Sequence, residues 1–330
     1  MRQIGVIGCG SWPITIANLI AKNGFNVLVW CHRSEIADDI NLNSSQSKVF
    51  PELVLADNVR ASTKLEDVVS LSDGLIYGVP SLYFKYIEQI SSFYKAETPF
   101  LVLSKGLINC KETPFFSEYV KLHLNKVNLA VLSGPNLASE IINELPAATV
   151  VAAEDNKTSM FFQEKIHSNR FRVYNSNDLV GVELAGILKN IIAIAAGALD
   201  GLELGMNAKA ALVTRGLAEI IRFCTFFKGK VNTMYGLAGI GDLLVTSSSK
   251  NSRNWNVGYF LAKGDKLDLI LDRLGAVAEG IYTVKIVYQL SKKYNIDMPI
   301  CNGVFEFVHN GAPAEKIYND LMNRQMKNEN

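Results

Sequence analysis

QIGVIGCGSW, residues 3–12, is the stretch that decides the fold. It reads as a short apolar strand over 3–8 that runs into Gly8-Cys9-Gly10-Ser11-Trp12 and then a helix over 14–23. The first glycine permits a tight turn. The second lets the backbone approach a pyrophosphate at the positive end of the helix. A bare Gly-x-Gly is common, but here the strand–loop–helix order is right and a second strand follows at 26–31. The cofactor-binding candidates are therefore Gly8, Gly10, Ser11 and Trp12. Pro13 stands where a third glycine is usual, which predicts a slightly shifted helix rather than a lost site.

Further runs at 74–80, 100–104, 129–133 and 147–152 are also β-rich, several of them apolar throughout. Such runs suit strands covered on both faces. Their alternation with helical segments predicts an α/β fold: an N-terminal Rossmann-like doubly wound, mostly parallel sheet. Past Asp178 the pattern changes to long runs rich in Ala, Leu and Ile, and helices are expected at 179–199, 208–227, 257–262, 267–274, 280–294, 299–309 and 312–326. The expected organisation is a dinucleotide-binding domain over 1–178 and an all-α substrate domain over 179–330. The polar tail 327–330 is expected to fray.

Composition narrows the function. Of the residues, 48% are hydrophobic and 20% charged, which suits globular cores, and the net charge of +1 gives no basic field for nucleic acid or a membrane surface. The five cysteines are scattered, with no Cys-x-x-Cys, so free thiols in a reducing compartment are expected and no metal site. The apolar start is too short for a signal peptide, and the longest apolar stretch is interrupted by a lysine. A cytoplasmic protein without membrane insertion is the expectation.

That lysine is Lys189, the one charge in LAGILKNIIAIAAGAL, residues 184–199. A lone ammonium in apolar surroundings is either a stem reaching for water or a group kept for proton transfer. Lys105 and the run Ser133-Gly134-Pro135-Asn136 follow predicted strands, at the sheet edge where open α/β folds bind ligands. In GLAGIGDLL, residues 236–244, Asp242 is a single carboxylate suited to a cation. Ser252-Arg253-Asn254 combines a planar fork with neutral donors, a set that fits a phosphate. Val277-Ala278-Glu279-Gly280 places a carboxylate at a helix start. His32 and Arg33 end the second strand where an acidic residue would select NAD. Their charge favours NADP, with NAD retained because Glu35 is near.

Taken together, residues 186–190, Arg215-Gly216-Leu217, GLAGIGDLL and Ser252-Arg253-Asn254 resemble the bacterial-type NAD(P)-dependent glycerol-3-phosphate dehydrogenases, over residues 4–319. The resemblance implies reduction of dihydroxyacetone phosphate to glycerol 3-phosphate, feeding glycerophospholipid synthesis, by a homodimer. It implies Lys189 as catalytic acid/base. Lys105, Gly134, Asn136, Asp242, Ser252, Arg253 and Asn254 would hold substrate. Ser11, Trp12, His32, Arg33, Lys105, Ala138, Arg253, Val277 and Glu279 would meet the dinucleotide. Two positions depart from the pattern: Pro13, usually glycine, and Asn136, commonly Thr or Ser. The competing readings are a related two-domain dehydrogenase acting on another hydroxy or keto acid, and a dinucleotide sensor without catalysis.

Overall fold

The computed structural model describes residues 3–326 and 328, so most of the tail 327–330 lies outside the described residues. Two compact units divide the chain, Met1–Glu183 and Leu184–Asn330.

Among the described residues the first unit is built on eight strands: β1 (Gln3–Ile7), β2 (Asn26–Trp30), β3 (Val59–Ser62), β4 (Gly74–Tyr77), β5 (Pro99–Val102), β6 (Asn128–Ser133), β7 (Ala147–Ala153) and β8 (Phe171–Ser176). They lie in the order β3-β2-β1-β4-β5-β6-β7-β8. The first six follow the dinucleotide-binding order 3-2-1-4-5-6. All neighbouring pairs are parallel except β6 with β7. Seven helices connect them: α1 (Ser11–Lys22), α2 (Ser34–Asn43), α3 (Leu65–Ser70), α4 (Tyr86–Ser91), α5 (Phe116–His123), α6 (Ala138–Ile142) and α7 (Asn156–Ile166).

Both faces of the sheet are covered, and the period of two along each strand shows it. Ile4 and Val6, Ile76 and Leu101 join one buried cluster with Ile14 and Ile20 of α1. Their strand neighbours Ile7, Leu75, Tyr77 and Phe100 are equally buried outside that cluster. This is why the strands read as continuous apolar runs.

Two strands escaped the sequence reading. β3 is a four-residue edge strand carrying Arg60. β8, the opposite edge, alternates buried Phe171 and Val173 with exposed Arg172 and Tyr174. It carries the period-two signal of a half-exposed strand rather than an apolar run.

The second unit is helical: α8 (Leu179–Gly201), whose first turn belongs to the first unit, then α9 (Gly205–Phe226), α10 (Val231–Met234), α11 (Asp242–Ser248), α12 (Arg253–Ala262), α13 (Leu267–Leu274), α14 (Glu279–Tyr294), α15 (Pro299–His309) and α16 (Ala314–Met322). A π-helical turn, Leu237–Gly241, leads into α11. The glycine-rich segment is thus a tight helical entry, not a loop, because closely packed backbone demands its small residues. A Cβ on Gly239 would sit 2.1 Å from the Met234 carbonyl oxygen. α12 also begins four residues earlier than the pattern predicts, since the Ser252 hydroxyl caps it by accepting from the Trp255 N–H at 3.2 Å.

Candidate active site

In the first unit the candidate residues gather at the carboxyl ends of the strands. Gly8 has φ +113°, a conformation open to glycine, and a Cβ there would stand 3.2 Å from the Gly78 carbonyl. Gly10 is the N-cap of α1 and offers no side-chain cap, and no acidic residue occupies the first turn. The leading N–H groups of this twelve-residue helix therefore have no side-chain cap, and a Cβ on Gly10 would meet nothing nearer than the Pro13 Cδ at 4.0 Å. The indole N–H of Trp12, in the same turn, is buried without a partner. An open positive helix end and an orphaned donor fit a dinucleotide diphosphate.

Pro13 stands where a third glycine is usual. It is buried in the first turn of α1, and Gly78, just past β4, makes room for it: a Cβ on Gly78 would fall 2.4 Å from the Pro13 Cγ. The chain has a proline on one side of this contact and a glycine on the other. Gln46, also unnoticed in the sequence, is buried and donates from Nε2 to the Cys9 carbonyl at 2.7 Å, which tethers the loop from below.

His32 and Arg33 are exposed where β2 ends, with Arg33 at the N-cap of α2. The Ser104 hydroxyl donates to the Val79 carbonyl at 2.6 Å, which anchors the turn carrying Lys105 to the turn after β4. Gly134 lies against Thr149, where a Cβ would stand 2.9 Å from the Thr149 Cα. Asn136 donates to the Thr149 hydroxyl at 2.8 Å, and its own carbonyl oxygen is buried without a partner. Because Thr149 donates to the Ser133 carbonyl at 3.1 Å, its oxygen can only accept from Asn136. That fixes the orientation of the Asn136 amide. Ala138 opens α6 just beyond.

In the second unit Lys189 does not snorkel. It is 7% exposed, and its Nζ donates to the Asp242 Oδ1 and to the Thr246 Oγ1, the latter at 2.8 Å. The Thr246 hydroxyl in turn donates to the same carboxylate oxygen at 3.3 Å. Asp242 is 1% exposed. A buried ammonium is tolerable only with such a counter-charge and hydrogen bonds. Thr246 was not singled out in the sequence, yet it sits one turn after Asp242 on α11, at the i,i+4 spacing that places both on one face.

Asn254 holds the neighbourhood of Lys189 in place. Its Nδ2 donates to the Asn190 Oδ1 at 2.9 Å, and its Oδ1 accepts from the Gly280 N–H at 3.0 Å. One amide thereby links α8, α12 and the start of α14. The close crossing of α8 and α12 makes this possible. A Cβ on Gly258 would lie 1.8 Å from the Ile194 carbonyl oxygen. Arg253 donates from Nη1 to the Val277 carbonyl at 2.7 Å, and Glu279 is the first residue of α14.

Two family models match in tandem: the NAD-dependent glycerol-3-phosphate dehydrogenase N-terminus over residues 3–159, and the C-terminus of the same family over 178–319. The chain belongs to the NAD-dependent glycerol-3-phosphate dehydrogenase family. Within that family it is 39% identical over 329 residues to the glycerol-3-phosphate dehydrogenase (NAD(P)+) of Bacillus licheniformis, a match covering 98% of this chain and 95% of the relative. The corresponding enzyme of Chlorobium limicola is 39% identical over 331 residues, 99% of each chain. The crystal structure of a glycerol-3-phosphate dehydrogenase from Coxiella burnetii superposes with a TM-score of 0.94 at 34% identity, covering 98% of this chain and 99% of that one.

Proposed function

We propose that this protein reduces dihydroxyacetone phosphate to sn-glycerol 3-phosphate at the expense of NADPH or NADH, supplying glycerophospholipid synthesis. The observation that carries the reading is the buried Lys189–Asp242–Thr246 cluster, in a chain whose other unit has an open helix end after Gly8-Cys9-Gly10.

A bound nicotinamide dinucleotide supplies the hydride. Gly8, Gly10, Ser11 and Trp12 bind its diphosphate through backbone N–H groups and the Trp12 indole. His32 and Arg33 meet a 2′-phosphate, and their charge favours NADP over NAD. The family resemblance assigns Lys105 and Ala138 of the first unit, and Val277 and Glu279 of the second, to the cofactor as well.

Arg253, steadied by the Val277 carbonyl, binds the substrate phosphate with Ser252, and so places the carbonyl for reaction. The family resemblance assigns Gly134 and Asn136 of the first unit to the substrate as well. Asn254 acts through the backbone it ties together. As negative charge develops on the substrate oxygen, the Lys189 ammonium stabilises it and gives it a proton from Nζ. Asp242 and Thr246 fix that ammonium in direction. The buried setting strengthens its field, because little water screens it.

A dinucleotide-binding domain over 1–178 and a substrate domain over 179–330 belong to the same proposal. So does a homodimer working in the cytoplasm without membrane insertion. The described helix long and apolar enough to cross a membrane is Leu179–Gly201, and 89% of its apolar window is buried within the fold.

The test is oxidation of NADPH and of NADH by the purified chain with dihydroxyacetone phosphate, against an α-keto acid and a hydroxyacyl thioester. Turnover is expected with the first substrate, faster with NADPH. Turnover only with the others would overturn the reading, and dinucleotide binding without any turnover would indicate a sensor.

A further inference from the structure

We propose that the helical unit carries a second binding site, for a single-chain anionic amphiphile, with the hydrocarbon chain beside α16 and the anion on Arg215. The site lies wholly within Leu184–Asn330 and does not depend on the reading of the dinucleotide loop or of Lys189.

A cavity of about 730 Å³ opens between the C-terminal end of α8 and the helices α9, α15 and α16. Small-molecule sites commonly measure about 300–1,000 Å³. Three of its walls are largely apolar, with Leu199 of α8, Leu212 of α9 and Phe307 of α15 each half-buried against it. The fourth wall is α16. Ile317, Tyr318 and Leu321 share one face of that helix, and all three line the cavity. Yet no residue of α16 is buried. The helix meets α15 where Gly303 makes room for it, since a Cβ there would stand 2.7 Å from the Ile317 Cγ2. Beyond that contact its apolar face borders open space instead of core, and a hydrocarbon chain would supply the missing neighbours.

The charged lining selects the head group. Asp297 is engaged: Arg324 pairs with its carboxylate at 3.2 Å, and Arg222 donates from Nε to its carbonyl at 2.9 Å. Glu219 is engaged as well, because its two oxygens accept from the Ile300 and Cys301 N–H groups. Arg215, one turn before Glu219 on α9, also lines the cavity and is exposed. Among the described residues its guanidinium makes no hydrogen bond or ion pair. It belongs to Arg215-Gly216-Leu217, a motif to which the dehydrogenase reading gives no part. Packing accounts for its glycine, where a Cβ would stand 2.9 Å from the Ile192 Cδ1. It does not account for the arginine. A planar fork left open beside an apolar cavity suits a carboxylate or a phosphate that carries a hydrocarbon chain. A second copy of the chain fits less well. A twofold contact sets the same surface against itself, and two Arg215 side chains would meet with both lining carboxylates already engaged.

The test titrates the purified full-length chain by calorimetry with laurate and with dodecyl phosphate, both below their micelle concentrations. Dodecyl maltoside is the uncharged counterpart. Expected is saturable binding of one anion per chain, about tenfold or more tighter than the maltoside. Decyl phosphate should bind about tenfold or more weaker than dodecyl phosphate, the worth of two buried methylenes. Arg215→Gln should weaken dodecyl phosphate about tenfold to a hundredfold. Ala211→Trp, which fills the cavity from an exposed position, should abolish binding with an unchanged circular dichroism spectrum. If the tryptophan variant does not fold, Arg215→Gln and the head-group comparison decide. Tighter binding of laurate assigns the site to a fatty acid, and tighter binding of dodecyl phosphate to a phosphate ester. Absence of saturable binding, equal affinity for the maltoside, or unchanged affinity in Arg215→Gln overturns the proposal. So does a dimer that sedimentation shows Ala211→Trp to lose while no amphiphile binds, which would give the cavity to a second copy.

Discussion

Replacing Gly78 by alanine tests how this chain accommodates a proline in its dinucleotide loop. The new Cβ would stand 2.4 Å from the Pro13 Cγ and 2.9 Å from its Cβ, where ordinary contact begins at 3.4 Å. About 1 Å of overlap has to be relieved against a buried ring in the first turn of a helix. Overpacking of this kind costs about 1–3 kcal/mol. For a unit of this size, about 2 kcal/mol lowers the melting temperature by about 4–8 °C. The Gly78 N–H donates to the Ile7 carbonyl at 2.9 Å, next to Gly8, so the shift also reaches the loop, and NADPH affinity falls together with Tm. In Pro13→Gly/Gly78→Ala the ring is gone and the Cβ has room. Its Tm should exceed the sum of the two single changes by an amount equivalent to about 1–3 kcal/mol of coupling. The assay is thermal unfolding followed by circular dichroism for the wild type, both single variants and the double variant, with NADPH titration of each. Additive effects, or an unperturbed Gly78→Ala, would refute the packing argument.

Three further outcomes follow from the same geometry. Arg33→Asp should cut NADPH affinity about tenfold to a hundredfold, the worth of a hydrogen bond to a charged group, and shift preference toward NADH; an unchanged ratio in steady-state assays would mean that the 2′ position is read elsewhere. Thr246→Val, which keeps the side-chain shape and removes the hydroxyl from Lys189, should lower kcat about tenfold to a hundredfold while KM stays near the wild-type value; a rise in KM alone would contradict a role at the ammonium. Glu219 is buried and accepts from the Ile300 and Cys301 N–H groups at 2.6 and 3.1 Å, yet burial pushes its carboxyl up to about 7. The folded state then holds a proton that the unfolded chain releases near 4.5, so this contribution, about 3 kcal/mol, is present at low pH and lost as pH rises to about 7. Melting curves from pH 5 to 8 should show the wild type losing stability relative to Glu219→Gln, and parallel curves would exclude the raised carboxyl.

Local pattern made the central part of the sheet legible, because strands covered on both faces are apolar at every position. The two edge strands were harder for opposite reasons. β3 is too short to show a pattern, while β8 shows a period-two alternation that a search for apolar runs passes over. At the site, Lys189 stood out because a charge in an apolar helix is costly, and Asp242 because it was the lone carboxylate among glycines. Their meeting, 53 residues apart in sequence, depends on helix packing that no window reveals. The same holds for Pro13 of α1, which Gly78 accommodates just past β4. Ser252 and Asn254 were read as a phosphate set. In the fold one caps a helix and the other ties three helices, functions that depend on partners distant in the chain.

The proton-donor role of Lys189 is the central claim, and Lys189→Met tests it most directly, since methionine keeps the apolar stem and removes the ammonium. Single-turnover oxidation of NADPH by dihydroxyacetone phosphate should slow by about 100- to 10,000-fold, with NADPH affinity in the same sample close to that of the wild type. A near-normal rate with intact binding would contradict the account.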